Sequence, residues 1–182
     1  MKNYLASILF ACSFCLLISC NNQQQPNEKK PSDSTSSASD LMKEAPPYDP
    51  SKINPDAPVI ELTLKAQGNS MADMSYDQKE LRVKSGSTVH LQLFNTCTDP
   101  SMEHNFVLIE EGKADQVGPA GMKAGIDKNF VPAMKEVLVS TVMTKPKEKT
   151  EITFPAPDKG TYDFICTYPG HYQKMNGKFV VE

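Results

Sequence analysis

Between residues 57 and 182 apolar side chains recur at nearly every second position, and this constrains the fold more than anything else in the chain. Ile60, Leu62 and Leu64 alternate with Glu61, Thr63 and Lys65. Leu81 and Val83 alternate with Arg82 and Lys84, and Val89, Leu91 and Leu93 with His90 and Gln92. A period of two is that of a strand with one face buried and the other wet. Runs at 106–109, 137–142, 152–154, 162–166 and 179–181 complete a set of about eight short strands separated by Gly, Pro and Asn turns, the pattern of an all-β sandwich or barrel. The stretch has an ordinary length for one hydrophobic core. Residues 112–134 break the period. Rich in Gly and Ala, they are too long for a hairpin loop and predict a flap with a short helix.

The N-terminal third reads differently. Lys2 precedes an apolar stretch at 4–18, too short and wrongly flanked to span a membrane, which predicts an export signal over 1–19. Its end, Leu17-Ile18-Ser19-Cys20, resembles the bacterial lipobox. That resemblance implies that Cys20 becomes the mature N-terminus and carries two or more acyl chains, enough for stable anchoring. Asn21 after the Cys fits export to the outer membrane by the same pattern, and ordinary secretion is the plainer alternative. Residues 20–56 then form the lipidated Cys and a disordered linker. They hold a Gln run, clustered Ser and six prolines, a composition that buries too little apolar surface to offset its ordering entropy. Such a coil reaches roughly 30–35 Å, and ~110 Å if fully extended as polyproline II.

Five cysteines shrink to two on this reading. Cys12 and Cys15 leave with the signal, Cys20 is acylated, and Cys97 and Cys166 remain, so the domain is not a disulfide scaffold. Charge excludes one class of partner. With 19 basic and 22 acidic residues, a single arginine (Arg82) and no basic stripe, the chain has no footprint for nucleic acid.

The chemistry concentrates in Cys166-Thr167-Tyr168-Pro169-Gly170-His171-Tyr172-Gln173-Lys174-Met175, a C-x4-H-x3-M loop between two strand-like runs. Thiolate and thioether favour Cu(I), imidazole accepts both copper states, and two His, one Cys and a weak axial Met form the electron-transfer copper geometry. The loop lacks the second His. Of the other two, His90 alternates outward on a strand, whereas His104 stands in Met102-Glu103-His104-Asn105-Phe106 at a strand entrance, where a four-donor site needs it. Singly, each residue has a plainer use: a surface or satisfied His, a small buried Cys, a packing Met. Jointly, the set is hard to obtain by packing alone.

Met102-Glu103-His104-Asn105-Phe106, followed by Cys166-Thr167-Tyr168-Pro169-Gly170-His171 and Met175, resembles the azurins, the blue-copper branch of the cupredoxins. Gln67-Gly68-Asn69 matches an early azurin stretch, and Gly121-Met122-Lys123-Ala124-Gly125-Ile126-Asp127-Lys128 the helical flap. The resemblance spans essentially all of 57–182 and implies a Greek-key β-sandwich of cupredoxin type. By position, it implies His104, Cys166 and His171 as equatorial ligands of one copper ion, Met175 as the long axial ligand and the Glu103 carbonyl as a second axial contact. Asn105 would join the two ligand loops by hydrogen bonds. Met74, Met102, Tyr168 and Pro169 would form an apolar docking patch around His171.

Departures from the azurin pattern are Glu103 where Gly is usual, Phe106 in place of the core Trp, no cysteines at the usual disulfide positions, and the extra Cys97. The implied function is a carrier of single electrons at the bacterial envelope, facing the periplasm or on the outer membrane. Its partners would be redox proteins such as c-type cytochromes or copper or haem reductases and oxidases. No open coordination position is evident, and catalysis at a metal needs one. The alternatives are a copper storage or delivery protein using Met74, Met102 and Met175, and a Cys166–His171 nucleophile that lacks an oxyanion-hole motif and an orienting third group.

Overall fold

The computed structural model describes residues 50–182. The expected export signal over 1–19, Cys20 and residues 20–49 of the expected linker lie outside the described residues. Among the described residues, a short 3-10 turn at Pro50–Lys52 leads into nine strands and one α-helix. These are β1 (Val59–Gln67), β2 (Ser75–Tyr76), β3 (Glu80–Val83), β4 (Thr88–Asn95), β5 (Val107–Glu110), α1 (Ala114–Ala124), β6 (Val137–Ser140), β7 (Lys149–Pro155), β8 (Gly160–Ile165) and β9 (Asn176–Val181). All eight expected runs are strands. The ninth, β2, is two residues long and too short to show any alternation.

The strands form two sheets, ordered β2-β1-β4-β7 and β3-β9-β8-β5-β6. Parallel pairing of β1 with β4 and of β3 with β9 makes both sheets mixed; the remaining pairs are antiparallel. Between the sheets lies the main core, in which Leu64, Leu91, Leu93, Phe106, Phe154, Phe164 and Phe179 are fully buried. Phe106, at the position of the expected Trp, stacks on Phe164 with ring centroids 5.6 Å apart.

Alternation fails where a second layer covers the outer face. Val107, Ile109 and Ile165 point away from the main core and pack with Val117 of α1 and Val137. The apolar run Val107-Leu108-Ile109 and the pair Phe164-Ile165 therefore have both faces buried, which a period-two pattern cannot express. Gly118 and Gly121, three residues apart on one face of α1, allow the close approach. A Cβ at Gly118 would stand 2.4 Å from Tyr172 Cγ, and one at Gly121 would stand 2.8 Å from Thr167 Cβ. The helix is thus seated directly on the Cys166–Met175 loop.

Candidate metal centre

The loop that carries Cys166, His171 and Met175 joins β8 to β9 and is closed by its own backbone. Cys166 N–H donates to the Met175 carbonyl at 3.0 Å, one step beyond the last ladder pair Ile165–Asn176. Inside, His171 N–H donates to the Tyr168 carbonyl at 3.0 Å and Met175 N–H to the His171 carbonyl at 2.8 Å, so the chain makes a tight helical turn. Gly170, at φ +80°, sits at the apex, a backbone region that an L side chain disfavours. His104 comes from the other direction, just before β5. Its N–H and C=O pair with those of Thr144 at 3.2 and 2.7 Å.

These two segments bring three donors together. Cys166 Sγ lies 3.7 Å from His171 Nδ1 and 3.8 Å from His104 Nδ1, and the two Nδ1 atoms are 3.2 Å apart. All three side chains are buried. An ion centred in that triangle would stand about 2 Å from each atom, a normal metal–imidazole length and slightly short of a metal–thiolate one. Met175 is fully buried in the same core cluster as Cys166, and Glu103 precedes His104 half-buried. His90, by contrast, faces outward between Glu61 (2.6 Å) and Glu151 (3.5 Å).

Burial sets the protonation of the triangle. Desolvation pushes the Cys166 thiol up to about 12, opposed by the backbone N–H groups of Asn105 and Tyr168. It brings His171 down to about 4 and, with the charge of His171 added, His104 down to about 3. Without a cation, both imidazoles and the thiol are neutral at pH 7. A metal is what makes a thiolate stable here, so its binding is coupled to loss of that proton.

Asn105 ties the two segments. Its Nδ2 donates to Thr167 Oγ1 and to the Asn129 carbonyl, each at 2.9 Å, and its Oδ1 accepts from Thr167 N–H at 2.9 Å. Three further supports were not apparent in the sequence. Buried Asn95 donates to the carbonyls of Met102 (2.7 Å) and Thr144 (2.9 Å), holding both flanks of His104. Tyr76 donates its hydroxyl to the Asn105 carbonyl at 2.5 Å. Phe130, held at φ +55° after the flap, meets Tyr168 edge-on at 5.2 Å, and Tyr168 covers His171 at 4.6 Å. The only sequence signal for any of these was the matching flap, which ends just before Asn129-Phe130.

One expectation needs correction. Met74 and Met102 are each 3% exposed and belong to the core, so neither side chain offers an accessible surface. The loop at 68–74 folds inward at Met74, and Met102 lies beneath the turn that starts at Asp99. Tyr168 and Pro169 are half-buried at the rim. Beside Gly170 the thioether that reaches solvent is that of Met71, 50% exposed, whose Cε would be 3.1 Å from a Cβ at Gly170.

Known proteins show the same arrangement of sequence and fold. Residues 62–182 match the family described as copper binding proteins, plastocyanin/azurin family. Auracyanin-A of Chloroflexus aurantiacus is 37% identical over 117 residues, covering 63% of this chain and 71% of that protein. An azurin of Pseudomonas chlororaphis is 31% identical over 125 residues, covering 65% of this chain and 98% of that protein. The solved structure of auracyanin A, a "blue" copper protein, superposes with a TM-score of 0.61 at 34% identity over 68% of this chain and 99% of that one. The fold is therefore a cupredoxin β-sandwich, and the chain belongs to the plastocyanin/azurin family, as a one-copper electron-transfer protein rather than an enzyme.

Proposed function

We propose that this protein is a type 1 (blue) copper carrier that moves single electrons between redox partners at the bacterial cell envelope, held there by lipid on Cys20. The observation that carries the reading is the buried triangle of His104 Nδ1, Cys166 Sγ and His171 Nδ1, already assembled by the fold. Copper supplies a one-electron couple between Cu(I) and Cu(II). His104, Cys166 and His171 would hold the copper, with Met175 as a weaker fourth donor and the Glu103 carbonyl as a further contact. The chain's remaining task is to keep those donors still while charge changes. Asn105, Asn95 and the Thr144 bridge do this by fixing both ligand segments through backbone and amide hydrogen bonds. Core packing around Met175 and Phe106 excludes water from the site.

The docking surface is the rim over His171: Tyr168, Pro169, Gly170 and exposed Met71. Its partners are c-type cytochromes, or copper or haem reductases and oxidases. The test is the visible spectrum of the Cu(II)-loaded soluble domain, which should be intensely blue through thiolate-to-copper charge transfer. Cys166→Ser should abolish the colour and Cys97→Ser should keep it. Met175→Leu, similar in volume, should remain blue at a higher potential. A domain that holds only Cu(I) and shows no colour when oxidised would overturn the carrier in favour of copper storage or delivery.

A further inference from the structure

Cys97 takes no part in the ligand triangle, yet it is fully enclosed behind it. Its Sγ lies 3.5 Å from His104 Nε2, the ring nitrogen that faces away from Cys166 and His171. On its other side the same sulfur donates to the Gly68 carbonyl at 2.7 Å. A carbonyl oxygen can only accept, so the single S–H of Cys97 is committed to Gly68. Toward His104 the sulfur then has lone pairs alone to offer, and Nε2 must be the donor. A neutral imidazole carries one N–H, which leaves Nδ1 unprotonated and aimed at the metal position.

The neighbourhood fixes this direction. Gly68 stands at φ +94°, and a Cβ there would lie 2.5 Å from the Asp73 carbonyl oxygen, so its backbone has no room to turn. Cys97 N–H donates to Asn95 Oδ1 at 3.1 Å, while Asn69 Oδ1 takes the N–H of Thr98 at 2.6 Å. The His171 and His104 Nδ1 atoms lie 3.2 Å apart, a contact in which an unprotonated His104 Nδ1 can only accept.

We propose that Cys97 is a positioning residue for His104: the relay from Nε2–H to the Cys97 sulfur to the Gly68 carbonyl selects the metal-binding tautomer and tunes the electron affinity of the site. The tuning follows from acceptor strength. An oxidised metal makes the imidazole N–H more acidic, so a strong acceptor behind it favours the oxidised state. Sulfur is a weak acceptor and does this little. A serine hydroxyl in its place should favour Cu(II) and lower the potential. Valine, which fills the space with no acceptor, should raise it. The serine change should alter the Cu(II):Cu(I) affinity ratio by roughly tenfold, or about 59 mV for one electron, and the valine change should move it by less in the opposite direction.

The tuning part rests on the copper reading, and the tautomer part does not, so the test has two arms. In the metal-free domain, 15N shifts of the His104 ring should report a single Nε2–H tautomer in wild type and in Cys97→Ser. A mixture is expected in Cys97→Val, or in Cys97→Ala should valine prevent folding. In the copper-loaded domain, the serine and valine potentials should move to opposite sides of wild type. An Nδ1–H tautomer in the wild-type domain, or potentials that stay put or move together, would overturn the proposal. A domain that takes up no copper would sink the copper reading and the tuning with it, while the tautomer arm still decides the positioning.

Discussion

Burial, more than any charged neighbour, decides how the ligand side chains ionise, and it does so in opposite directions for thiol and imidazole. His104 and His171 are held at about 3 and 4, below the ordinary 6.5, so the unfolded chain takes up protons first as pH falls. Their contribution to metal-free stability is therefore complete above about pH 6.5 and is lost as pH falls through about 4 for His171 and about 3 for His104. The Cys166 thiol, raised to about 12 from 9.0, works the other way, with stability present below pH 9.0 and lost above it. Denaturant unfolding of the metal-free domain should show a plateau between these limits, and equal midpoints at pH 5 and pH 7.5 would contradict the assignment. Copper uptake on the plateau should release about one proton per ion, measurable by calorimetry in buffers of different ionisation enthalpy. Asn105→Ala should destabilise the domain by about 3 kcal/mol, because it leaves the buried Thr167 N–H without its acceptor. The convergence of His104, Cys166 and His171 was legible in the sequence, since few residue types offer such lone pairs and the loop spacing brings two of them together. The burial of Met74 and Met102 was not, because it depends on how two distant loops fold over the site. The Cys97 contact with His104 was invisible for the same reason.

At the scale of elements, α1 shows packing overriding propensity. Glycine weakens a helix interior by about 1 kcal/mol relative to alanine, so Gly118→Ala should stabilise an isolated α1. In the protein the added Cβ meets the Tyr172 ring at 2.4 Å, and the substitution should instead destabilise the fold by about 1–3 kcal/mol. In a Tyr172→Ala background the penalty should vanish, and a double-mutant cycle in denaturant would measure that coupling; additive effects would refute the contact. Strand existence was legible wherever one face is wet, as in β1, whose even positions Ile60, Leu62, Leu64 and Ala66 turn inward. It was ambiguous at β5 and the end of β8, where α1 covers the second face. The existence of α1 was signalled only by the length of a Gly- and Ala-rich insertion and by its likeness to a known flap.

Across the whole molecule, the rim over His171 mixes an aromatic, a proline, a glycine and a thioether with few charges. Without a strong field to steer a charged partner, electron exchange should depend weakly on ionic strength. Met71→Glu should slow exchange while leaving copper content and spectrum unchanged, because the side chain is half exposed and holds no ligand. Met102→Glu should do something different and lower stability, since it would bury a charge in the core. Unchanged rates in Met71→Glu, or rates that collapse on adding salt, would remove the apolar docking idea. Deleting residues 32–40 should leave the isolated domain's redox chemistry intact and reduce transfer in whole membranes by shortening its reach.

Strand polarity adds a directional consequence. β1 starts at Val59 beside Thr88 and runs toward Gly68, next to the metal pole, while β9 leaves that pole at Asn176 and finishes at Val181 opposite Gly160. Nine residues of strand separate the two poles by roughly 30 Å. The polypeptide thus enters and leaves at the same end, and the copper edge occupies the other. A hold on the chain just before Val59 would therefore pull on the pole away from the metal ligands and leave the rim over His171 uncovered.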